Sequence, residues 1–384
     1  MAFLLTQLKR KYVNLRGYHT RRRLLVIESD DWGSIRMPSR AVFEKLQEMG
    51  DAPERDAFLS NDCLESSRDL ENLYDVLRSV RDKNGRPAVI TANFATANPD
   101  FDRIDPLKGI YHCESILETY RRYYPTEDVF SHIQKGISEG IFFPQLHCRE
   151  HLNVSRWMKE LQDGKPDVQT AFENRMIGIG ASFSEDNRFG YMDAFNTVCS
   201  TDEELAAILE EAAGRFRNIF GFDSETFVAS CFVWNQALER TQARLGIKGI
   251  QSASWQNIPL GIEGKNQLKR RMHFTGEKNR FGQVYTVRNC TFEPAYQQDP
   301  EESVQRCLKD IGRSFADRKP AIITSHRFNY IREINPKNAE GNLAGLKELL
   351  AQVVKKYPDV EFVTSNELFR IIQKKDKEGR ASEL

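Results

Sequence analysis

Three short stretches of the chain carry residue types that can bind a metal ion and move protons. "HCREH" places His147 and His151 four positions apart. "ESDDWGS" places the adjacent carboxylates Asp30 and Asp31 at the end of an apolar run, and "IITSH" ends another apolar run on His326. Histidines and carboxylates are ordinary zinc ligands and ordinary acids and bases of enzymes. The three stretches therefore predict a metal-assisted site.

The "HCREH" stretch admits two interpretations. Taken as H-x-x-E-H, it matches the inverted zinc-peptidase pattern, in which Glu150 is the general base. Taken as H-x-x-x-H, it is a pair of metal ligands, and the base comes from elsewhere in the chain. Because a catalytic zinc usually has three protein ligands and an open position for water, the pair needs a third ligand, which Asp31 supplies.

The context of "HCREH" favours the second interpretation, because the peptidase pattern needs both histidines inside one helix. The run "FFPQL" predicts a strand that leads directly into His147. Asn153 is typical of the N-cap of the predicted helix "VSRWMKELQDG". We therefore expect the histidines in a strand-to-helix loop, ahead of the helix.

The adjacent carboxylates and the late histidine suit complementary roles. Two neighbouring carboxylates that leave a buried strand repel each other unless a cation lies beside them. A divalent ion would offset this repulsion, since one carboxylate binds it and the other stays free to accept a proton. An imidazolium at His326 is suited to protonating a departing amine near neutral pH.

The elements that must position these residues are short apolar runs that alternate with amphipathic stretches. Such alternation predicts a parallel sheet, either open or closed into a barrel. "GQVYTVRNCTFEP" breaks the alternation and predicts an extra strand or a hairpin. The apolar runs, each with the composition of a strand buried on both faces, are "LLVIES", "PAVITANF", "FFPQLHC", "MIGIGASF", "TFVASCFVW", "KGIQSAS", "AIITSH" and "VEFVTS".

Polar and aromatic residues collect at the predicted carboxyl ends of these strands, where α/β folds place their sites. They are Asp30, Asp31, Asn93, His147, Trp234, Asn235, Ser254, Trp255 and His326.

The amphipathic stretches predict helices with recognisable ends. "TDEELAAILEEAAGRFRNIFG" has Thr201 as a candidate N-cap and Gly221 as a stop, and "NAEGNLAGLKELLAQVVKKYP" is ended by Pro358. We predict a basic extension over residues 1–21, a single barrel over 22–370 and a flexible tail over 371–384. Loop insertions are expected near 95–140 and 255–295.

Composition narrows the class of protein. Among 384 residues, 55 Lys and Arg balance 55 Asp and Glu, so the net charge is zero and offers no support for a nucleic-acid partner. No run approaches the ~18 apolar residues of a membrane span. The seven scattered cysteines contain no C-x-x-C and predict reduced thiols in the cytoplasm.

The first residues have their short apolar run before the charges, the reverse of a secretory signal. They predict either a solvated basic extension or attachment to an anionic membrane surface through Phe3, Leu4, Leu5 and Leu8.

Six stretches, taken in their order along the chain, resemble the polysaccharide deacetylase (NodB-homology) superfamily. They are "ESDDWGS", "HCREH", "FVASCFVWN", "IQSASW", "IITSH" and "GLKELLAQVVKKYPDVEFVTSNEL". Members open with T-F-D-D-G, continue with H-[ST]-x-x-H and have a histidine late in the chain. The resemblance spans about residues 22–370 and implies an α/β fold, a distorted (β/α) barrel with seven or eight strands.

The resemblance also implies a chemistry. Asp31, His147 and His151 would hold a divalent metal, Zn²⁺ in the first place, with Co²⁺, Ni²⁺ or Mn²⁺ as alternatives. Asp30 would be the base and His326 the acid, in the removal of acetyl groups from amino sugars. Trp32, Trp234 and Trp255 are candidates for stacking on sugar faces, and Asn93 is a further candidate substrate contact.

Two departures from the family pattern leave roles unassigned. The third motif of the family contains an arginine that orients the base, whereas "SCFVWN" has none, and Arg149 and Arg288 are the candidates to replace it. The fourth motif contains an aspartate that tunes the acid histidine, whereas "SASW" has none, and Glu293 is the candidate there. Cys148 also stands where the family has Ser or Thr.

Three alternatives to amino-sugar deacetylation remain. One is hydrolysis of another non-peptide C–N bond or of an O-acetyl ester at the same site. A second is a catalytically silent carbohydrate-binding protein that keeps the fold and the metal, which the missing third-motif arginine favours. The third is the H-x-x-E-H metallopeptidase.

Overall fold

A computed structural model describes residues 15–261, 266–297 and 299–381 of the chain, with side chains described as far as residue 374. The described strands are, in chain order, β1 (Arg23–Trp32), β2 (Ile90–Ala95), β3 (Ala97–Pro99), β4 (Cys113–Ser115), β5 (Phe142–Cys148), β6 (Thr226–Phe227), β7 (Gly249–Ser252), β8 (Trp255–Pro259), β9 (Leu268–Met272), β10 (Val284–Val287), β11 (Cys290–Thr291), β12 (Ala321–His326) and β13 (Val360–Phe362).

The described α-helices lie mainly between these strands. They are α1 (Arg40–Glu48), α2 (Ser67–Arg78), α3 (Ile116–Tyr123), α4 (Val129–Ser138), α5 (Val154–Gln162), α6 (Pro166–Glu173), α7 (Asp202–Phe220), α8 (Gln236–Arg244), α9 (Pro294–Gln297), α10 (Pro300–Ala316), α11 (Pro336–Lys356) and α12 (Ser365–Ala381). Within the described part of the chain, no helix has the length and apolar character needed to cross a bilayer.

Nine of the described strands form one sheet, and every pair among them is parallel. The order runs from β10 through β7, β6, β5, β2, β1 and β12 to β11, and β13 pairs with the start of β1. Two antiparallel pairs, β3 with β4 and β8 with β9, stand apart from this sheet. Because the strands are parallel, their carboxyl ends meet on one side of the sheet.

The chain itself joins the two ends of the sheet. Only Arg288 and Asn289 separate β10 from β11. The N–H of Arg288 donates to the carbonyl of Ser252 on β7, and the N–H of Asn289 donates to that of Ile322 on β12. One extended segment therefore pairs first with β7 and then with β12, and this closes the sheet into a barrel. The predicted distorted (β/α) barrel is confirmed, and "GQVYTVRNCTFEP" forms two parallel strands rather than a hairpin.

The central strand β1 is buried on both faces, as its apolar run predicts. Leu25 and Ile27 lie in one hydrophobic core, whereas Leu24 and Val26 lie in another that includes Leu368 of α12. One face of β1 thus packs against the core that the outer helices share, and the other packs against β10, β12 and α12.

The predicted ends of α7 are confirmed. Thr201 caps the helix in a reciprocal capping box with Glu204, and Gly221 ends it in the left-handed conformation, with φ at 79°. The helix predicted before Pro358 is α11.

The expected domain boundaries are only partly within the described residues. Residues 1–14, including the apolar residues considered for membrane attachment, lie outside them. Tyr18 is packed in a hydrophobic core, so the packed part of the chain begins before residue 22. At the other end α12 continues to Ala381, past the expected start of the tail at residue 371.

The run "MIGIGASF" was expected to form a strand, and this prediction is wrong. It is an irregular segment with a single 3₁₀ turn, Gly180–Ser182. The N–H of Ile179 donates to the Ser182 hydroxyl and that of Gly180 to the carboxylate of Asp51. Side-chain oxygens thus accept hydrogen bonds from backbone N–H groups that a strand partner would otherwise bind. Met176 and Ile179 are buried in a separate small core.

A buried glutamine anchors the short strand β6. This strand has two residues and pairs with β5 at one register position, Leu146 to Phe227. The side-chain oxygen of Gln145 accepts hydrogen bonds from the N–H groups of Glu225 and Thr226, at 3.1 and 2.7 Å, and from the Thr226 hydroxyl at 2.8 Å. The glutamine thus replaces ladder bonds that a longer strand would make.

We expect Gln145→Leu to lower the free energy of unfolding by at least about 2 kcal/mol, because each buried donor left unpaired costs about 1–3 kcal/mol. Urea denaturation measures this change. Gln169→Leu, at an exposed position on α6, serves as the control and should stay within about 0.5 kcal/mol of wild type. A Gln145→Leu protein as stable as the control would contradict the anchoring role.

Candidate active site

The end of β1 brings both adjacent carboxylates to one cavity. Neighbouring residues of a regular strand point to opposite faces. Here Asp31 adopts a left-handed backbone conformation, with φ at 74°, and the pairing with β2 shifts register between Ser29 and Trp32. This break in the alternation allows Asp30 and Asp31 to line the same cavity of about 460 Å³. Such strain in a residue other than glycine is typical of functional sites.

Asp31 lies against the two histidines of "HCREH". Its Oδ1 is 3.5 Å from Nε2 of His147 and 3.2 Å from Nε2 of His151. Ligand atoms around a tetrahedral ion with bonds of about 2.0–2.2 Å lie about 3.3–3.6 Å apart. The three side chains form a group able to hold a metal ion, with ligand atoms within 4.8 Å of one another. The donor set and its spacing fit a divalent ion.

The surroundings of the two imidazoles suit metal binding. Nδ1 of His147 donates to the carbonyl of Val228 at 2.8 Å, and its buried Nε2 has no hydrogen-bond partner among the described residues. The lone pair of Nε2 is therefore free for an ion. Burial lowers the pKa of His151 and outweighs the opposing charge of Asp31, which keeps this ring neutral.

Both histidines lie ahead of the helix, as the sequence predicts, but only His151 is in the loop. His147 is the second-last residue of β5, and α5 starts at Val154, with Asn153 as its cap. Glu150 is held by Arg149 at 2.8 Å and by the hydroxyl of Tyr111 at 2.9 Å. Among the described residues Glu150 is not part of the cavity wall. The metallopeptidase interpretation is wrong because its base does not face the site.

Asp30 is held by an arginine from the segment that closes the barrel. Its two oxygens accept hydrogen bonds from the Nη atoms of Arg288 at 2.6 and 2.8 Å, and Nδ2 of Asn93 donates at 2.7 Å. Nε of Arg288 donates to Glu28 at 2.7 Å. Burial alone raises the pKa of Asp30, but the charge and hydrogen bonds of Arg288 outweigh it and hold that pKa well below its usual range. Asp30 is therefore a carboxylate.

His326 faces Asp30 from the end of β12. Its Nε2 lies 3.9 Å from Oδ2 of Asp30, and its Nδ1 is 2.6 Å from Oε1 of Glu293. The other oxygen of Glu293 accepts from the backbone of His326 at 3.2 Å and from Asn329 at 2.7 Å. Burial lowers the pKa of His326, but the charge and hydrogen bond of Glu293 outweigh it and raise the pKa to about 9. The imidazole is protonated at neutral pH.

The structure does not place all the expected substrate contacts in the cavity. Trp32 and Trp234 are buried in the core, where their indole N–H groups donate to Ser29 and Glu239. Neither ring can stack on a sugar, so the prediction is wrong for both. Trp255 is 38% exposed, but it is not among the described residues of the cavity wall.

The polar candidates act behind the cavity wall. Asn93 and Arg288 bind the carboxylate of Asp30, and among the described residues neither is part of the cavity wall. Arg149 pairs with Glu150 and Glu211, and among the described residues it is not part of the wall. Of the two candidates to replace the third-motif arginine, the structure brings Arg288 to Asp30.

Sequence patterns did not reveal the cavity's aromatic lining or its arginines. Arg36 and Arg188 line the cavity, and nothing in their spacing indicates this. The rings on the wall come from loops and a short helix rather than from the tryptophans; they are Phe58, Phe183, Phe189, Phe232 and Tyr296.

No protein-family model matches the sequence, and no curated protein matches it. A probable polysaccharide deacetylase from Pseudomonas aeruginosa PAO1 is a similar solved structure, with 10% identity, a TM-score of 0.46 and 91% of each chain covered. An allantoinase has 8% identity and a TM-score of 0.45, with 92% of this chain and 93% of that chain covered.

A 4-α-glucanotransferase from Thermococcus litoralis is also similar, with 10% identity and a TM-score of 0.44. The match covers 91% of this chain but 40% of that enzyme, so the chain spans less than half of the enzyme's length. The solved structures that this chain is similar to thus include enzymes with different printed names. Likenesses this distant assign no activity, because one fold hosts many chemistries.

We expect the purified protein to bind a divalent ion, and Asp31→Ala and His147→Ala to weaken binding by more than the roughly 10- to 100-fold that outer-shell changes cost. Competition with a chromophoric chelator, with Zn²⁺ as the probe, measures the affinity. His132→Ala, on α4 and outside the cluster, is the control. Wild-type affinity in both cluster variants would rule out the metal site.

In the metal-free protein we expect His326 to titrate at about pH 9. Glu293→Gln should lower this midpoint, because the imidazolium loses the anion that stabilises it while the neutral ring loses less. NMR titration of labelled histidine measures the midpoint. Glu301→Gln, in the exposed first turn of α10, should leave it unchanged. A midpoint that stays or rises in Glu293→Gln would contradict the pairing.

Proposed function

We propose that the chain is a metal-dependent hydrolase that removes acetyl groups from N-acetylated amino sugars of a poly- or oligosaccharide. One observation carries the proposal: an ionised carboxylate and a protonated imidazole face each other at 3.9 Å beside a three-residue metal cluster in one cavity. Hydrolysis of an amide needs an activated water, a base for its proton and an acid for the leaving amine. The cavity offers a candidate for each.

Asp31, His147 and His151 would hold the ion, for which we propose Zn²⁺. When bound, a divalent ion supplies a Lewis acid and a water of lowered pKa. Asp31 binds through Oδ1, which faces both imidazoles. His147 is oriented for this task by the carbonyl of Val228.

Asp30 takes the proton of the attacking water. Arg288 and Asn93 fix the orientation of its carboxylate, and the guanidinium keeps it ionised, so it is ready to accept a proton. Because its pKa is low, Asp30 can pass this proton to Nε2 of His326 once that imidazolium has given its own proton to the leaving amine. His326 donates a proton to the departing amine, with Glu293 holding Nδ1 so that Nε2 points toward Asp30.

The substrate class rests on the family resemblance together with the cavity. The aromatic rings on the wall are suited to contact with the apolar faces of sugar rings. The volume of about 460 Å³ leaves room for an N-acetylated sugar unit beside the metal cluster. Another non-peptide amide or an O-acetyl ester would use the same groups, so both belong in the substrate panel.

The silent-protein alternative loses its main support. It rested on the missing third-motif arginine, and Arg288 now occupies the position beside Asp30 that such a residue would fill. For the compartment we propose the cytoplasm, because the seven cysteines are scattered along the chain and contain no C-x-x-C.

With Zn²⁺ supplied, we expect acetate release from N-acetylated oligosaccharides. Asp30→Asn should lower kcat/KM by about 10²- to 10⁴-fold, the usual contribution of a general base. Glu150→Gln is the matched control. Its carboxylate is turned away from the cavity, so kcat/KM of this variant should stay close to that of wild type. In an H-x-x-E-H peptidase the same change would remove the general base and abolish activity. Absence of acetate release across the saccharide panel, with Co²⁺, Ni²⁺ and Mn²⁺ also tried, would refute the substrate assignment.

A further inference from the structure

Arg36 lines the cavity, yet the proposed reaction gives it no role. It follows Asp31 by five positions and is 6% exposed. Its Nη2 donates to Oδ2 of Asp31 at 3.1 Å. This is the oxygen that does not face the histidines, since Oδ1 is the atom near both imidazoles. The two oxygens of the candidate metal ligand are thus divided between an arginine and the metal cluster.

Three contacts hold the guanidinium of Arg36 in place. The Cζ of Arg36 lies 4.1 Å from the centroid of the Phe58 ring, and its Nε is 3.4 Å from Oδ2 of Asp62. The Asp31 contact is the third. The Phe58 ring also stands edge-on to His326, with centroids 5.4 Å apart. The side chain is therefore oriented before any ligand arrives.

The contact continues into a buried chain of alternating charge. Arg327, the residue after His326, donates to Asp62 at 2.7 Å and to Glu65 at 2.7 Å. Glu65 in turn accepts the N–H of Gly33 at 2.9 Å. This series of ion pairs and hydrogen bonds extends from the end of β1 to the end of β12 and returns to the turn after β1. Charged groups this deeply buried are stable only when paired and hydrogen-bonded.

We infer that Arg36 is a positioning residue of the metal centre: it holds Oδ2 of Asp31 so that Oδ1 alone is presented to the ion. The inference rests on the proposed function in one respect, the identity of Asp31 as a metal ligand. Partners that orient a ligand typically change metal affinity by about 10- to 100-fold when they are removed. Arg36 thus determines the geometry of the site without touching the ion.

The direction in which metal affinity changes when Arg36 is replaced distinguishes a positioning role from a purely electrostatic one. A guanidinium near a divalent ion repels it, so loss of the charge alone would tighten metal binding. Loss of orientation would weaken it, because Asp31 could then turn away from the histidines. Arg36→Gln removes both the charge and the fork of donors. Arg36→Lys keeps the charge but lacks the planar fork that reaches Asp31 and Asp62 together.

The test is the Zn²⁺ affinity of the full chain, measured by chelator competition without any substrate. We expect Arg36→Gln to weaken binding by about 10- to 100-fold and Arg36→Lys to weaken it by a smaller factor. Arg86→Gln is the matched control: Arg86 pairs with Glu367 at 2.7 Å and bonds the carbonyl of Phe362, at the opposite end of β1. The control should bind as wild type does.

Unchanged or tighter Zn²⁺ binding by Arg36→Gln would overturn the inference and leave the proposed function standing. If Arg36→Gln does not fold, as judged by circular dichroism, Arg36→Lys decides, and wild-type affinity in that variant overturns the inference. If wild type itself does not bind Zn²⁺, or Asp31→Ala binds it as wild type does, the proposed function fails as well.

Discussion

The site depends on one buried guanidinium. Arg288 lies inside the barrel between Glu28 and Asp30 and makes hydrogen bonds to both. Removal of any member would leave an uncompensated charge in the interior, which is strongly unfavourable. Arg288 is also the residue at which the extended segment leaves β7 and joins β12, so the contact that holds Asp30 lies at the closure of the sheet. The fold and the candidate chemistry thus share a residue.

The two halves of the site are held by separate polar systems that meet at the end of β1. Asp30 belongs to the system of Arg288, whereas Asp31 belongs to that of Arg36 and the two histidines. The left-handed conformation of Asp31 lets consecutive residues serve both. Groups oriented in this way before the substrate binds need little reorganisation during the reaction, which is how preorganised sites stabilise a transition state.

The aromatic wall changes how a substrate would be recognised. Tryptophans near strand ends suggested sugar stacking, but two of them belong to the core. Phenylalanines from loops and a short helical turn, together with Tyr296 of α9, take their place around the cavity. Loops vary more than strands do, and binding residues are often placed on them. The substrate is therefore best identified by testing a broad panel rather than by similarity of fold.

The sequence by itself determined what neighbouring residues decide: most strands of the barrel, the capped ends of α7, and a pair of histidines at the end of a strand, ahead of a helix. The spacing and order of these motifs also predicted which residues meet as a metal cluster, because carboxyl ends of parallel strands converge. Only the tertiary structure decided that Arg288, rather than Arg149, holds Asp30, a contact 258 residues apart in the chain. It also decided that "MIGIGASF" is irregular. Local patterns report one element at a time, whereas sheet order and burial determine which distant side chains face each other.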